Sequence, residues 1–585
     1  MSKLSFLLLT SLLVLNGLAL FSCQPKGTEE ATTAAEATTE VIPLIEEGTT
    51  DYVIVFGKYA SETIRDAVFD LSTAIEKRTG VKIPIWNDER ARTEPQDGMK
   101  MILIGCTSFP QSQKVIGSLP AHKDAFTMEE CDGAIVFAAN YDKQVKNAVR
   151  YYLENQLPGY DAETKTLPFA PYRQNGETDM DTDFLLSEIG KYTVVYASSI
   201  PGMDEVASRF VESIAVKTGI TLRCDADVDR DEGDYEILLG YTNRNLSQKL
   251  YSSSRIMTYE FVVERGCLQI AAGGAYSAVR SLPAFLVDIL GQKSETIAPG
   301  NYGYKDLAPT EMDLTEGADL RLMTANLLYD SASNVENGFM AAPYRMEMYC
   351  GILLHYQPDA VGMQEINRAW AEIIPPYLTY MKYLDQIEYT YLLRTYQSIT
   401  QWEPIFYRSD RYTCVYSDYT PESYYKGTSY YNLGVASAIF ASREDPNRQF
   451  GLVNSHWNWS STDETLMKTD SEAMANTVLR LQSQYPNAYL FCTGDLNSHR
   501  WNSKYLQSLL TTINGVITRE LADAKGVAVA SFMHQNQYID HIIGIKDQID
   551  CLYYGPAENG TTPLTDHGVV FADVKLLENK TPGSE

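Results

Sequence analysis

The 585-residue chain reads as a multi-domain α/β protein: two small α/β units in tandem, then a larger sandwich of two sheets with helices outside, four layers in all. Three observations predict this. The length exceeds what one hydrophobic core serves, since domains commonly run to about 100–200 residues. Two stretches before residue 305 repeat one order of apolar runs and amphipathic segments. Beyond residue 320 that order gives way to many short apolar runs, each ending in a polar residue. With 44% hydrophobic and 21% charged residues the bulk of the chain is globular.

Ahead of the repeats lies a leader. MSKLSFLLLTSLLVLNGLALFSC, residues 1–23, sets Lys3 before an apolar stretch and Ser22 directly before Cys23. This is similar to a bacterial lipoprotein signal, so Cys23 is the expected lipidation site and the new N-terminus, with an ordinary signal peptide or a retained anchor as alternatives. Phe21 departs from the usual small residue at its position. Residues 24–50, QPKGTEEATTAAEATTEVIPLIEEGTT, lack aromatics and are rich in Thr, Ala and Glu. Such a segment buries too little to offset its ordering entropy, and is expected to be a flexible tether. The expected location is the bacterial cell surface or exterior, as a membrane lipoprotein. No other segment reaches the roughly 18–20 apolar residues of a membrane-spanning helix.

The first repeat, residues 51–175, contains DYVIVFGKYASETIRDAVFDLSTAIEKRTGVKIPIW, MKMILIGCTS and AFTMEECDGAIVFAANYDKQVKNAVRYYLENQL. The second, residues 190–305, contains KYTVVYASSIPGMDEVASRFVESIAVKTGITLRC, YEILLGYTN and YEFVVERGCLQIAAGGAYSAVRSLPAFLVDIL. Each predicts a strand, an amphipathic helix ending near Gly80 or Gly219, a strand, another strand closed by Gly105 or Gly240, two more strands and a final helix. Asp70, Glu76 and Glu212 read as solvated helix faces. KRTGV, ILIGCT and the final helix resemble the non-catalytic N-terminal domain of α-glucuronidase-type glycoside hydrolases. The resemblance implies non-catalytic accessory units; binding or spacing is their default role, with glycan or cell-wall contact as a hypothesis.

A formal net charge of −28 argues against a partner held through its phosphates, which needs clustered Lys and Arg. Non-specific nucleic-acid binding is therefore not expected, and a secreted nuclease ranks behind other phosphoesterases. Nine cysteines include Cys23 and form no C-x-x-C pair, which leaves no structural zinc motif. Cys106 and Cys492 lie in apolar runs and read as buried thiols.

In residues 320–577 the strands RLMTAN, AVGMQE, PIFYR, VASAIFA, FGLVNSHW, YLFCTGD, YIDHIIGI and GVVFADVKL alternate with loops, and helices fall at YRMEMYCGILLHY, DETLMKTDSEAMANTVLRLQSQY and NSKYLQSLLTTI. Asn326, Glu365, His456, Asp495, Asn497, Asp540, Asp566 and His567 stand at strand ends. If those strands lie side by side, one rim gathers hard oxygen ligands for a divalent ion, a base for water and donors for developing charge, the set a metal-assisted phosphoester cleavage requires. Bland readings compete. Asp495 and Asn497 suit an Asx-turn or helix cap, Asp566 could cap a turn, His567 could be a satisfied surface histidine, His456 beside Trp457 and Trp459 could be packing, and His541 reads as scaffold. The Tyr-rich stretch 417–434 reads as a loop, either an aromatic wall for a sugar or acyl chain or a surface lid.

MTANLL, GMQEIN, FYRSDRY, NSHWNW, TGDLNS, YIDHI and LTDHGVVFADV, in that order, resemble the endonuclease/exonuclease/phosphatase superfamily, to which pancreatic-type deoxyribonuclease belongs. The resemblance implies a metal-dependent phosphoric ester hydrolase using Mg2+, or else Mn2+ or Ca2+. It implies Glu365 and Asp566 at the metal with Asn326 in the same shell, Asp495 and Asn497 at the attacking water, and His567 on the phosphate, oriented by Asp540. His456 would be the acid at the leaving group. Whether Asp495 or His567 is the base stays open. Many nucleases of the superfamily carry Asp where this chain has Leu328, so an assisting ligand is absent or supplied elsewhere, for instance by Asp330. A small-molecule, lipid or polymer phosphoester is the expected substrate. A silent surface binding protein working through the repeats is the alternative.

Overall fold

The computed structural model describes residues 41–577 apart from 97, 252–254, 309–310, 394, 397–398, 401, 427–428, 459–463, 499–502, 528–538 and 558–563. Cys23 and the leader lie outside the described residues, as does Trp459. Among the described residues no helix is long and apolar enough to cross a membrane, and the eight cysteines are free thiols, Cys106 and Cys492 buried.

The first unit is built from β1 (Tyr52–Phe56), α1 (Glu62–Thr79), β2 (Ile85–Asn87), β3 (Lys100–Ile104), α2 (Pro110–Gly117), β4 (Phe126–Cys131), β5 (Ala134–Ala139), α3 (Asp142–Asn155) and β6 (Tyr172–Gln174). The second comprises β7 (Thr193–Tyr196), α4 (Met203–Thr218), β8 (Arg223–Ala226), β9 (Glu236–Leu239), α5 (Asn245–Tyr251), β10 (Thr258–Glu264), β11 (Cys267–Ala272), α6 (Ala275–Ala284) and β12 (Gly300–Asp306). Strand order is β2-β1-β3-β5-β4-β6 in the first sheet and β8-β7-β9-β11-β10-β12 in the second, the same path twice. The senses agree as well: β1, β2, β3 and β5 are parallel, β4 runs antiparallel to both its neighbours, β5 and β6, and likewise in the copy. Ser61 caps α1 by accepting from Ile64 N, and Gly80 ends it in the left-handed conformation; Gly219 does so for α4. Asp70, Glu76 and Glu212 are exposed. Two elements per copy escape the sequence pattern: the short helices α2 and α5 after the glycine-closed strand, and the edge strands β6 and β12.

The sandwich begins with β13 (Leu320–Asn326), α7 (Ala342–Tyr356), β14 (Ala360–Gln364), α8 (Arg368–Asp385), β15 (Tyr389–Leu392) and β16 (Ile405–Arg408). It continues with β17 (Tyr412–Lys426), β18 (Ser429–Ser442), β19 (Gln449–Ser455), α9 (Glu464–Gln484), β20 (Tyr489–Asp495), α10 (Lys504–Ile513), β21 (Gly515–Ile517), α11 (Thr518–Lys525), β22 (Asp540–Ile545), β23 (Ile549–Pro556) and β24 (Val570–Leu576). Two six-stranded sheets result, β15-β16-β14-β13-β24-β23 and β17-β18-β19-β20-β22-β21. Leu322, Phe440, Leu452, Phe491, Ile542 and Ala572 pack between them; α7 and α8 cover the outside of the first sheet, and α9 and α10 that of the second.

Helix α8 departs from the sequence expectation because it runs unbroken through Pro375 and Pro376. Each proline removes a backbone donor, yet Trp370, Ile374, Tyr377 and Met381 recur at helical spacing and are all buried, and that packing holds the helix. The stretch 417–434 is not a loop: β17 and β18 pair from Tyr412–Ser442 to Lys426–Ser429 as one long hairpin. Backbone pairing between two runs adjacent in sequence makes it a strand pair despite its polar composition.

Buried Arg321 ties the sandwich to the segment before it. Its Nε and Nη2 reach Asp573 at 2.6 and 2.8 Å, and its remaining donors go to the carbonyls of Met312, Asp313 and Tyr356. Buried Glu347 of α7 accepts from Met257 N, Tyr276 N and Ser277 N at 3.2, 2.6 and 3.1 Å, capping α6 of the second unit from the sandwich side.

Candidate functional site

Each sheet has one parallel pair beside its middle, β13 with β14 and β19 with β20. The C-terminal ends of those strands, together with the entries to β22 and β24, share one rim. The two sheets approach closely beneath it. A Cβ on Gly362 would lie 2.1 Å from Thr493 Oγ1 and 2.3 Å from Asn454 Oδ1, so only glycine fits there. Gln364 Nε2 donates to Asn454 Oδ1 at 2.8 Å and Thr493 Oγ1 reaches the same oxygen at 3.2 Å, closing a buried polar layer between the sheets. Gly494 has φ of +151°, and a Cβ there would meet the Ser455 carbonyl at 1.9 Å; that conformation turns the chain into Asp495.

Above this layer the predicted residues meet. Asn326 Nδ2 donates to Glu365 Oε1 at 3.0 Å and to Asp495 Oδ2 at 3.1 Å, bridging the two sheets. Asp495 Oδ2 also faces His456 Nε2 at 3.4 Å and His567 Nε2 at 3.5 Å, while His567 Nδ1 faces Asp540 Oδ2 at 2.9 Å. Asp495 Oδ1 accepts from Asn497 N at 2.9 Å, and Asn497 Nδ2 donates to the Trp457 carbonyl at 2.8 Å. Here the Asx-turn reading and the site reading coexist, one on each carboxylate oxygen. The cap of α10 is Ser503 rather than Asp495 or Asn497. His541 is buried against the Ser498 carbonyl and is scaffold.

Electrostatics follow from this packing. Burial alone would raise the Asp495 carboxyl, but the His567 and His456 rings and the Asn497 N–H outweigh it and hold it well below the usual range. Burial would lower both imidazoles. Asp495, then Glu365 and Glu403, instead lift His456 to about 9, and Asp540 with Asp495 lifts His567 to about 11. Burial raises Asp540 despite His567. Both ring nitrogens of His567 face carboxylates, which only accept, so the ring is doubly protonated.

Asp495, Asp540 and His567 hold ligand atoms within 4.8 Å of one another. We read this trio as a proton-holding relay rather than a cage, because a ring nitrogen that carries a proton toward a carboxylate is not free to ligate. The wider donor set suits a hard cation: four carboxylates, of Glu365, Asp495, Asp540 and Asp566, gather at one mouth, and buried Asp540 Oδ1 takes no hydrogen bond among the described residues. Asp566 stands exposed at the rim beside Thr565. Asn326 serves as a donor, since its Oδ1 accepts from Leu328 N at 3.0 Å.

Leu328 does not leave room for a ligand. It is buried at φ +56°, and Arg345 Nη1 and Trp370 Nε1 hold its carbonyl at 2.9 and 3.1 Å. Asp330 is no substitute: its Oδ1 accepts from Ala342 N at the start of α7 and pairs with Arg345. Sequence reasoning missed Glu403. This fully buried acid is raised to about 8 by burial, against the pull of His456, and accepts from Tyr419 OH at 3.3 Å. Its one signal is an acid next to the strand PIFYR.

No family model matches the chain, and no curated protein matches it. Among solved structures it is similar to an endonuclease/exonuclease/phosphatase family protein from Bacteroides thetaiotaomicron, at 16% identity over 44% of this chain and 97% of that one, TM-score 0.35. It is also similar to a mannosyl-6-phosphatase from Bacteroides thetaiotaomicron, at 14% identity, 44% and 99% coverage, TM-score 0.36. A third is the human Nocturnin catalytic domain, at 16% identity, 44% and 94% coverage, TM-score 0.35.

Proposed function

We propose that residues 320–577 hydrolyse a phosphoester with the help of a divalent cation, on a protein exported and tethered to the bacterial surface through Cys23 and a linker shorter than the expected 24–50, because Ile42–Ile45 pairs with Leu167–Phe169 and buries Leu44 and Ile45 in the first unit, with the units at 51–175 and 190–305 as accessory domains. The observation that carries the reading is Asp495 Oδ2, met by Asn326 Nδ2, His456 Nε2 and His567 Nε2 within 3.5 Å at the rim shared by both sheets. A purely structural carboxylate has no need of two imidazoles from separate strands.

In this reading Glu365 and Asp566 would hold Mg2+, or Mn2+ or Ca2+, which when bound neutralises phosphate charge and polarises the phosphorus centre. Asp495 orients the attacking water and takes its proton as the oxygen adds to phosphorus. Protonated His567, fixed by Asp540, hydrogen-bonds a non-bridging oxygen as charge develops. The bond from phosphorus to the leaving oxygen breaks, and His456 gives that oxygen its proton. Between the two bases left open by the sequence, the geometry favours Asp495, because both nitrogens of His567 already carry protons. The acidic chain, at −28 overall, favours a lipid, sugar or cell-wall phosphoester over nucleic acid.

Turnover of bis-p-nitrophenyl phosphate and p-nitrophenyl phosphate, with Mg2+ and with EDTA, tests the proposal. We expect EDTA-sensitive hydrolysis that Asp495→Ala and His567→Ala each reduce at least about a hundredfold. A wild-type protein inert with Mg2+, Mn2+ and Ca2+ would leave the silent binding protein as the better account.

A further inference from the structure

We infer that the cleft between the two duplicated units binds a neutral oligosaccharide, an inference that does not rest on the phosphoesterase reading. The cleft is formed by the loops that follow β1 and β5 in the first unit and β7, β8 and β9 in the second, so both sheets present the carboxyl ends of their parallel strands to it. In each sheet the chain leaves the first strand toward one neighbour and later returns on its other side. Such reversal points open crevices where open α/β sheets take ligands, and here two of them face one space of about 1410 Å3. That exceeds the few hundred to about 1,000 Å3 typical of a single small ligand, which favours an oligomer.

Bonds between the units hold the walls in place. Lys123 Nζ meets Asp234 at 2.6 Å, Tyr141 OH donates to Asp234 at 3.0 Å, and Arg265 Nη1 donates to the Asn140 carbonyl at 2.9 Å. From the other side, Tyr59 stacks on Tyr380 of α8, 5.6 Å between ring centres, and Ser199 meets Tyr380 OH at 2.6 Å. The walls are thus braced against the sandwich before any ligand arrives.

The lining selects the ligand class. The start of α3 would attract an anion, but Glu232 of the other unit already accepts from Asp142 N there at 3.1 Å, and Asp142 is bonded to the α1 cap, Ser61. Burial raises both carboxyls, Asp142 to about 6 and Glu232 to about 8, so an anionic ligand would meet acids already short of solvation. Carboxylates outnumber cations along the lining, and among those cations Lys146 pairs with Asp66 at 3.1 Å and Arg244 with Glu236 at 3.0 Å. What remains is a wall of mixed donors and acceptors without net cationic field, flanked by half-buried Tyr59 and Tyr141. Hydroxyls on every carbon and flat C–H faces match such a wall; phosphates and apolar chains do not.

Calorimetric titration of the protein with neutral tetra- to hexasaccharides of glucose, mannose, galactose and xylose tests the inference, with inorganic phosphate and an oligogalacturonate as anionic probes. We expect at least one neutral saccharide to bind, and binding to fall at least tenfold in Val228→Trp, which plugs the cleft from an exposed lining position, and in Glu232→Gln. The thermal midpoint without ligand checks that each variant folds, and Val228→Trp keeps the test decisive if Glu232→Gln does not. Absence of binding by every neutral saccharide, preference for the anionic probes, or undiminished binding in Val228→Trp would overturn the inference.

Discussion

Replacing Gly362 by alanine probes the close approach of the two sheets under the site. The new methyl would lie 2.1 Å from Thr493 Oγ1, 2.3 Å from Asn454 Oδ1 and 2.7 Å from Asn454 Cγ, whereas carbon makes ordinary contacts at about 3.5 Å. The sheets must part by roughly an ångström at that point. Overpacking of this kind costs about 1–3 kcal/mol, and strain on the Gln364–Asn454 and Thr493–Asn454 bonds adds about 1 kcal/mol each. The expected loss is therefore about 3–5 kcal/mol, a large share of the roughly 5–15 kcal/mol that holds a typical domain. Urea unfolding followed by tryptophan fluorescence reads the sandwich selectively, since five of the six tryptophans follow residue 320. Thr493→Ala in the same chain removes the nearest atom and should restore about 1 kcal/mol. A loss below about 0.5 kcal/mol, or strict additivity of the two changes, would refute the argument that this glycine sets the sheet spacing.

Other perturbations follow from the same structure. Arg321→Met leaves Asp573 buried without its ion pair and should cost about 3–5 kcal/mol, read in the same unfolding assay, while Arg321→Met with Asp573→Leu should recover most of it. Burial raises Glu347 to about 7 despite three N–H donors. A carboxyl raised in the folded state favours folding below its unfolded value near 4.5 and loses that advantage as pH climbs through about 7. Docking of the second unit on the sandwich should thus weaken over that window, by up to a few kcal/mol, and Glu347→Gln should flatten that part of the thermal-midpoint profile. Asp540→Asn leaves the His567 ring in place and keeps an acceptor for Nδ1 but removes the negative charge that holds the ring protonated; kcat should fall about 10²- to 10⁴-fold with little change in KM.

The parts of this molecule legible in the sequence are those that local pattern determines. Runs such as YLFCTG are apolar because both faces are covered, and they stop at Asp495 because the rim begins there. The duplication was visible because Gly80, Gly219, Gly105 and Gly240 each occupy a left-handed position that punctuates the chain. What was hidden depends on neighbours distant in sequence. Helix α8 carries two prolines that speak against a helix, and only its buried stripe against the sheet overrides them. The β17–β18 hairpin looks like a loop because its composition is polar, and what makes it a strand pair is backbone bonding to the neighbouring run. Glu403 acquires its role from His456, fifty-three residues away, and the cleft needs Glu232 of one unit to meet Asp142 of the other. For the site itself, the residue types, their order and the Asp540–His567 pair were readable; that Asn326 donates, that Asp330 serves Arg345, and that Asp495 faces the other nitrogen of His567 were not.

The account depends most on Asp495 and His567 working as one unit across the two sheets. The most direct measurement is kcat/KM, with saturating Mg2+, for Asp495→Asn, His567→Ala and the double variant. We expect each single change to lower it about a thousandfold, and the double to be no worse than the poorer single, as for groups acting on one transition state. Losses that multiply in the double variant, or a single variant that keeps wild-type turnover, would contradict it.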